Sequence, residues 1–270
     1  MTSASSPYDA TLAELATRLP RLAAALQRAE QHRARSAASL MGGARFKGLD
    51  ELLRHLDELL HAFTANPTLC RIAFLIHRSR ADLETATEAT LSGYVAVAAD
   101  AMRDIMEIEN LLLDFAVSPA HIDEWLTADR KTLLGKFSAA RVRDRLHAAR
   151  EGRYSTTSES LDYHAHSAAL HVGPHRHPIL ARGFATDDGW ASDAGFWEIF
   201  EHALRLFRAI QRLTDALTPG SAVDEIAGQE LTDVQDAWRR TQEMQWIYVA
   251  MLKAIEKTQT EDSDQRDLTT

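Results

Sequence analysis

The sequence predicts an all-α protein, a multi-helix bundle, on three observations. Apolar residues recur at three- and four-residue spacing through most of the chain. Helix-ending signals punctuate it at helix-length intervals: Pro20, Gly42-Gly43, Asn66-Pro67, Gly93, Ser118-Pro119, Gly173-Pro174 and Pro219-Gly220. No segment shows the apolar and polar alternation between turn signals that marks a half-buried strand.

Residues Ser3 to Asp9 read as a frayed leader, and from Ala10 the stripe Leu12, Leu15, Leu19, Leu22 and Leu26 is helical, with Pro20 forcing a kink or two short helices. Leu49 to Phe63 is amphipathic, with Leu49, Leu52, Leu53, Leu56, Leu59, Leu60 and Phe63 on one face. Pro67 opens a helix to about Ser92, which Gly93 breaks. Tyr94 to Ala116 is the most apolar stretch and belongs at the centre of the bundle. Ser118-Pro119 starts a short helix through Trp125-Leu126, and a further helix spans Asp129 to about Ala149, weakened by Gly135. The next runs from Ser158 or Ser160 through His171. A long loop near 173–195 follows, then helices Phe196 to Leu217 and about Asp224 to Lys257. These make a single helical domain over residues 1–257, and 258–270 is expected to be a disordered acidic tail.

Composition excludes several classes. Cys70 is the only cysteine, so no disulfide forms within the chain. The start lacks a signal-peptide pattern and no apolar run is long enough to span a bilayer, so the expectation is a cytoplasmic protein without a membrane partner. A net charge of -9 argues against a protein that coats nucleic acid. Charge is unevenly spread, however: Arg130, Lys131, Lys136, Arg141, Arg143, Arg145, Arg150 and Arg153 form a basic strip. No phosphate loop, CxxC pair, HExxH or Ser-His-Asp order occurs, and no cofactor is implied.

The stretch from Tyr154 to Pro178 carries the densest chemistry. Tyr163, Ser167 and His171 are four residues apart, on one helical face. Arg103 and Glu107, at i and i+4 in the apolar central helix, are their natural partners, because a buried hydroxyl or imidazole needs a hydrogen bond. Arg103, Glu107, Tyr163, Ser167 and His171 are therefore the candidate site, read either as a catalytic cluster or as a structural clamp that fixes helix register. His164, His166, His171, His175 and His177 offer imidazoles for zinc or nickel, but Gly173-Pro174 keeps 171 and 175 off a common helical face, so no metal ligand is assigned. Trp190, Phe196, Trp197 and Phe200, with Trp238, Trp246 and Tyr248, suit either a partner surface, including a homodimer seam, or core caps.

The phrases MRDIMEIENLLLDFAVSPAHIDEWL, KFSAARVRDRL and YHAHSAALHVGP resemble a group of uncharacterised bacterial helical proteins with an Arg-x-x-x-Glu helix, a Trp-Leu helix and a Tyr-x-x-x-Ser-x-x-x-His helix. The match places Arg103, Glu107, Trp125, Tyr163, Ser167 and His171 at the motif positions, within a motif-bearing core of about 67–178. One departure is that Val172 and Gly173 separate His171 from Pro174, where the group usually has proline next. The group is distantly similar to HEPN domains, which include metal-independent ribonucleases of toxin and phage-defence systems. The resemblance implies a HEPN-like protein that binds RNA or a protein partner. Its alternatives are a ribonuclease using a His acid/base and an Arg on the phosphate, and a His-rich metal-binding protein. Arg54/His61, Arg71/His77 and Arg141/His147 approximate the Arg and His spacing of such nucleases, as chance alone would supply among twelve histidines and many arginines. Arg141/His147, in the basic strip, is the best placed.

Overall fold

A computed structural model describes residues 7–149 and 190–242, and among these residues the secondary structure is helical throughout, with no strand. Helix α1 (Pro7–Arg18) starts inside the expected leader, because proline suits a first helical turn. Pro20 then divides it from α2 (Pro20–Leu40), giving two helices rather than a kink. Helix α3 (Ala44–Ala65) follows Gly42-Gly43 and buries Leu49, Leu52, Leu56, Leu59 and Phe63, the expected stripe. The segment after Pro67 makes a short 3-10 turn (Cys70–Ile72) before α4 (Ala73–Leu91). Gly93 takes φ +78°, the left-handed turn that a side chain disfavours, and reverses the chain into α5 (Val95–Val117).

Helix α5 is the axis of the bundle. It packs chiefly on α9 (Trp190–Leu217) and α4, and on its other end against α8 (Ala139–Ala149). Thr90, at the end of α4, lies against Gly195 near the start of α9, while Glu109 on α5 pairs with Arg205 on α9. These two contacts make α5 and α9 run in the same direction. Helix α3 packs on α4 and on the last described helix, α11 (Thr232–Thr241), so one apolar core extends from Leu49 to Ala237. Short helices α6 (Ala120–Thr127), α7 (Arg130–Lys136) and α10 (Ala222–Ala227) connect the longer ones. Among the described residues, no helix is long and apolar enough to cross a membrane.

Four boundaries differ from expectation. Residues 190–195 are helical, not loop: Gly195 sits against Thr90 so closely that a Cβ there would lie 2.7 Å from Thr90 Cγ2. The glycine that reads as a loop signal is thus a helix-packing contact. The expected helix from Asp129 to Ala149 divides at Phe137 and Ser138 into α7 and α8, with the Asp129 side chain capping α7 by accepting from Thr132 N at 2.7 Å. Ser118 does not cap α6 through its side chain. The expected helix from Asp224 is broken after Ala227, where Gly228 ends α10 and α11 begins four residues later. The loop over 173–189, the histidine helix and the tail 258–270 lie outside the described residues.

Gly48 marks the tightest crossing of α3 and α11. A Cβ there would lie 2.6 Å from Ala237 Cβ and 2.9 Å from the Asp233 carbonyl, and backbone cannot rotate away. Gly48→Ala is therefore expected to destabilise the protein by about 1–3 kcal/mol despite alanine's better helix propensity. Urea unfolding followed by circular dichroism reads this directly, and an unchanged midpoint would show that the crossing can open.

Candidate functional site

Arg103 and Glu107 pair within α5, as their spacing requires, with Nη2 to Oε1 at 3.1 Å. Their side chains are 28% and 40% exposed, so the pair sits at the edge of the core. The helix face between α5 and α4 carries further charge. Arg78 on α4 donates to Asp104 through Nε at 3.0 Å, and Arg78 Nε lies 3.9 Å from Asp82. Burial, with Asp104 nearby, pushes the Asp82 carboxyl up to about 6. Tyr163, Ser167 and His171, the other candidate residues, lie outside the described residues, as do His164, His166, His175 and His177. Among the described residues no group of three or more His, Cys, Asp or Glu side chains could hold a metal ion.

The more deeply buried charges of α5 lie further along the helix. Asn110 and Asp114 continue the Arg103 and Glu107 stripe at i+7 and i+11, and both are buried, as is Glu109. Helix α9 presents Glu198, His202 and Arg205 at i, i+4 and i+7, with Glu198 and His202 buried. Arg205 Nε donates to Glu109 Oε1 at 3.2 Å, with side chains only 14% and 7% exposed. A paired charge is the form in which a carboxylate can be buried at modest cost.

Asp114 is the centre of a closed polar cluster. Arg145 on α8 approaches its carboxylate in the two-pronged manner of a guanidinium, Nε to Oδ1 at 2.8 Å and Nη2 to Oδ2 at 2.7 Å. His121 on α6 places Nδ1 2.9 Å from Oδ2. Arg145 also donates to the Lys136 carbonyl at the end of α7. Phe137 fills the space between them, its ring centroid 5.4 Å from the guanidinium and 5.8 Å from the His121 ring, which meets it edge-on. One carboxylate thus ties α5 to α6 and α8, and through Arg145 to the end of α7. With His121 donating from Nδ1, Asp114 accepts three hydrogen bonds from two other helices, so the cluster holds those helices in position.

Of the sequence candidates, the structure brings Arg103 and Glu107 together. It adds Asp114, His121 and Arg145, all inside the phrases that carry the resemblance. Their signal was legible in part, since Asp114 extends the Arg103 stripe; that Arg145 would reach it from 31 residues away was not. The aromatics Phe196, Trp197 and Phe200 are buried core residues, not a partner surface. Trp246 and Tyr248 lie outside the described residues. The class defined by these observations is an all-α bundle with a buried carboxylate clamp. Compared with protein-family models, curated proteins and solved structures, the chain matches none.

Proposed function

We propose that this chain acts by binding a protein partner through α7 and the adjoining start of α8. The observation that supports the reading most directly is that α7 buries none of its residues, while Leu133 and Leu134 are 37% and 65% exposed beside exposed Arg130 and Lys131. Solvent-facing leucines on a helix the core does not use are an interaction surface in the making. Arg141, exposed at the start of α8, extends the cationic part of that surface.

The chemistry favours an acidic, amphipathic protein segment over RNA. Single-stranded RNA is gripped by exposed aromatic rings on which bases stack, and the aromatic residue of this region, Phe137, is buried. The overall charge of -9 also opposes a general nucleic-acid binder. The HEPN-like character and a toxin or phage-defence setting belong to the same proposal. The Asp114 clamp supports it by fixing α7 and α8 to α5, which presents the surface without a large ordering cost on binding.

The test compares the wild-type chain with Lys131→Glu/Leu134→Glu. Because α7 buries nothing, the double variant is expected to keep its unfolding free energy within about 0.5 kcal/mol of the wild type. Cross-linking in the native host should recover a partner with the wild type and lose it at least about tenfold in the variant. Equal recovery from both would overturn the reading. Degradation of a mixed RNA pool by the wild type, abolished by His147→Ala, would instead favour the ribonuclease.

A further inference from the structure

A cleft of about 470 Å³ opens between α9, α10 and α11, elements that take no part in the surface proposed above. Its lining includes the buried Phe207, the partly exposed Trp238, and Arg208 and Arg239, but no carboxylate. Arg239 is held by Asp236, whereas Arg208 makes no ion pair among the described residues. The indole Nε1 of Trp238 is buried with no acceptor among the described residues, so the part of this side chain that reaches the cleft is its ring. Gln229 and Gln235 add side-chain amides, each carrying both a donor and an acceptor, while the amide donors of Gln211 are taken by Asp215 and Asp224.

The cleft is built, not incidental. Asp224 accepts from Gly220 N at 2.9 Å, Thr214 Oγ1 at 2.8 Å and Gln211 Nε2 at 3.1 Å, which joins α9 to α10. Those donors hold its carboxyl below the usual range, so it stays ionised and keeps Gln211 oriented. The Gln211 Oε1 lies over Gly228, 3.0 Å from where a Cβ would be. Gly228 thereby leaves room for the amide at the wall of the cleft.

We infer that this cleft binds a nucleoside monophosphate, its base against Trp238 and its phosphate on Arg208 and Arg239. Four features converge on that ligand class. The partly exposed indole of Trp238 suits a planar heterocycle. Amide groups match the mixed donor and acceptor edge of a nucleobase, which a plain aromatic acid lacks. Guanidiniums suit a phosphate, and a lining without carboxylates does not repel one. The volume lies in the range of small-molecule sites.

Isothermal titration of the full chain with AMP, UMP, the matching nucleosides and inorganic phosphate tests the inference. At least one monophosphate is expected to bind with a dissociation constant below about 1 mM. Its nucleoside, and phosphate alone, should each bind at least about tenfold more weakly, because each lacks half of the contacts. Arg208→Glu, at an exposed position where the fold should survive, is expected to abolish binding, with circular dichroism as the control. Trp238→Leu removes the planar ring and should weaken binding several-fold, with circular dichroism again as the control. A 5′-phosphorylated oligonucleotide that competes would identify a nucleic-acid end as the source of the nucleotide, and one that does not would identify the free nucleotide. Absence of heat from both monophosphates at about 5 mM, or undiminished binding by Arg208→Glu, would overturn it.

Discussion

Replacing Asp114 by alanine is expected to lower the unfolding free energy by about 2–4 kcal/mol, because it strands a half-buried guanidinium and an imidazole that now share one carboxylate. The geometry sets the size of the effect. Asp114 is 1% exposed, and Arg145 reaches it with two hydrogen bonds below 3 Å. Among the described residues, removing the carboxylate leaves Arg145 with the Lys136 carbonyl as its hydrogen-bond acceptor. Removing both partners should cost less than the sum of the two single losses, since neither is then left charged and alone. A double-mutant cycle of Asp114→Ala with Arg145→Met is therefore expected to give a coupling of at least about 1.5 kcal/mol. Additive losses in urea unfolding would mean that the two side chains do not act as a pair. Because the clamp also carries α8, Asp114→Ala should weaken the partner contact proposed for α7 and α8, whereas Lys131→Glu/Leu134→Glu should weaken it with stability intact.

Acid sensitivity is the second large effect, and it comes from two groups that oppose each other. His55 on α3 is 1% exposed, its ring edge-on to Phe207 at 5.0 Å, and burial lowers its pKa to about 4. In the unfolded chain it titrates near 6.5, so between these values the unfolded state binds more protons. The stability it contributes is fully present above about pH 6.5 and is lost as pH falls to 4, by about 3 kcal/mol in all. Asp82 runs the other way. Its folded pKa of about 6 exceeds the ordinary carboxylate value of 3.8, so the ionised form costs stability above pH 6, and that cost is relieved as pH falls towards 3.8. Its side chain is 19% exposed and partly screened, so the size is about 1–2 kcal/mol.

The variants separate the two. Asp82→Asn should raise stability at pH 7.5 by about 1–2 kcal/mol and make the decline from pH 6.5 to 4 steeper. His55→Leu should flatten or reverse that decline. Thermal melts at half-unit pH intervals would read both, and identical profiles for wild type and His55→Leu would show that His55 is not the acid-sensitive group.

The periodic segments were legible because local physics decides them. The stripes in α3 and α5 appear as expected, and Pro20, Gly42-Gly43 and Gly93 break the chain where backbone sterics require. The errors have a common cause. Residues 190–195 read as loop because glycine, serine and aspartate there favour turns, yet they are helical because Gly195 lets α9 meet Thr90. The start of α11 was hidden because its cap is remote: Glu51 on α3 accepts from Val234 N at 2.9 Å, across 183 positions. A carboxylate so distant leaves no local pattern to read.

The candidate site divides the same way. Spacing alone put Arg103 and Glu107 on one face of α5, and the same stripe, followed further, ends on Asp114. What composition and period determined about this protein is its all-α class, the central place of α5 and the position of a basic strip. Tertiary structure alone decided which charges are buried, which leucines face water and which aromatics close the core. Helical period reports only the angle of a side chain about its own axis, and burial depends on which other helix occupies that angle.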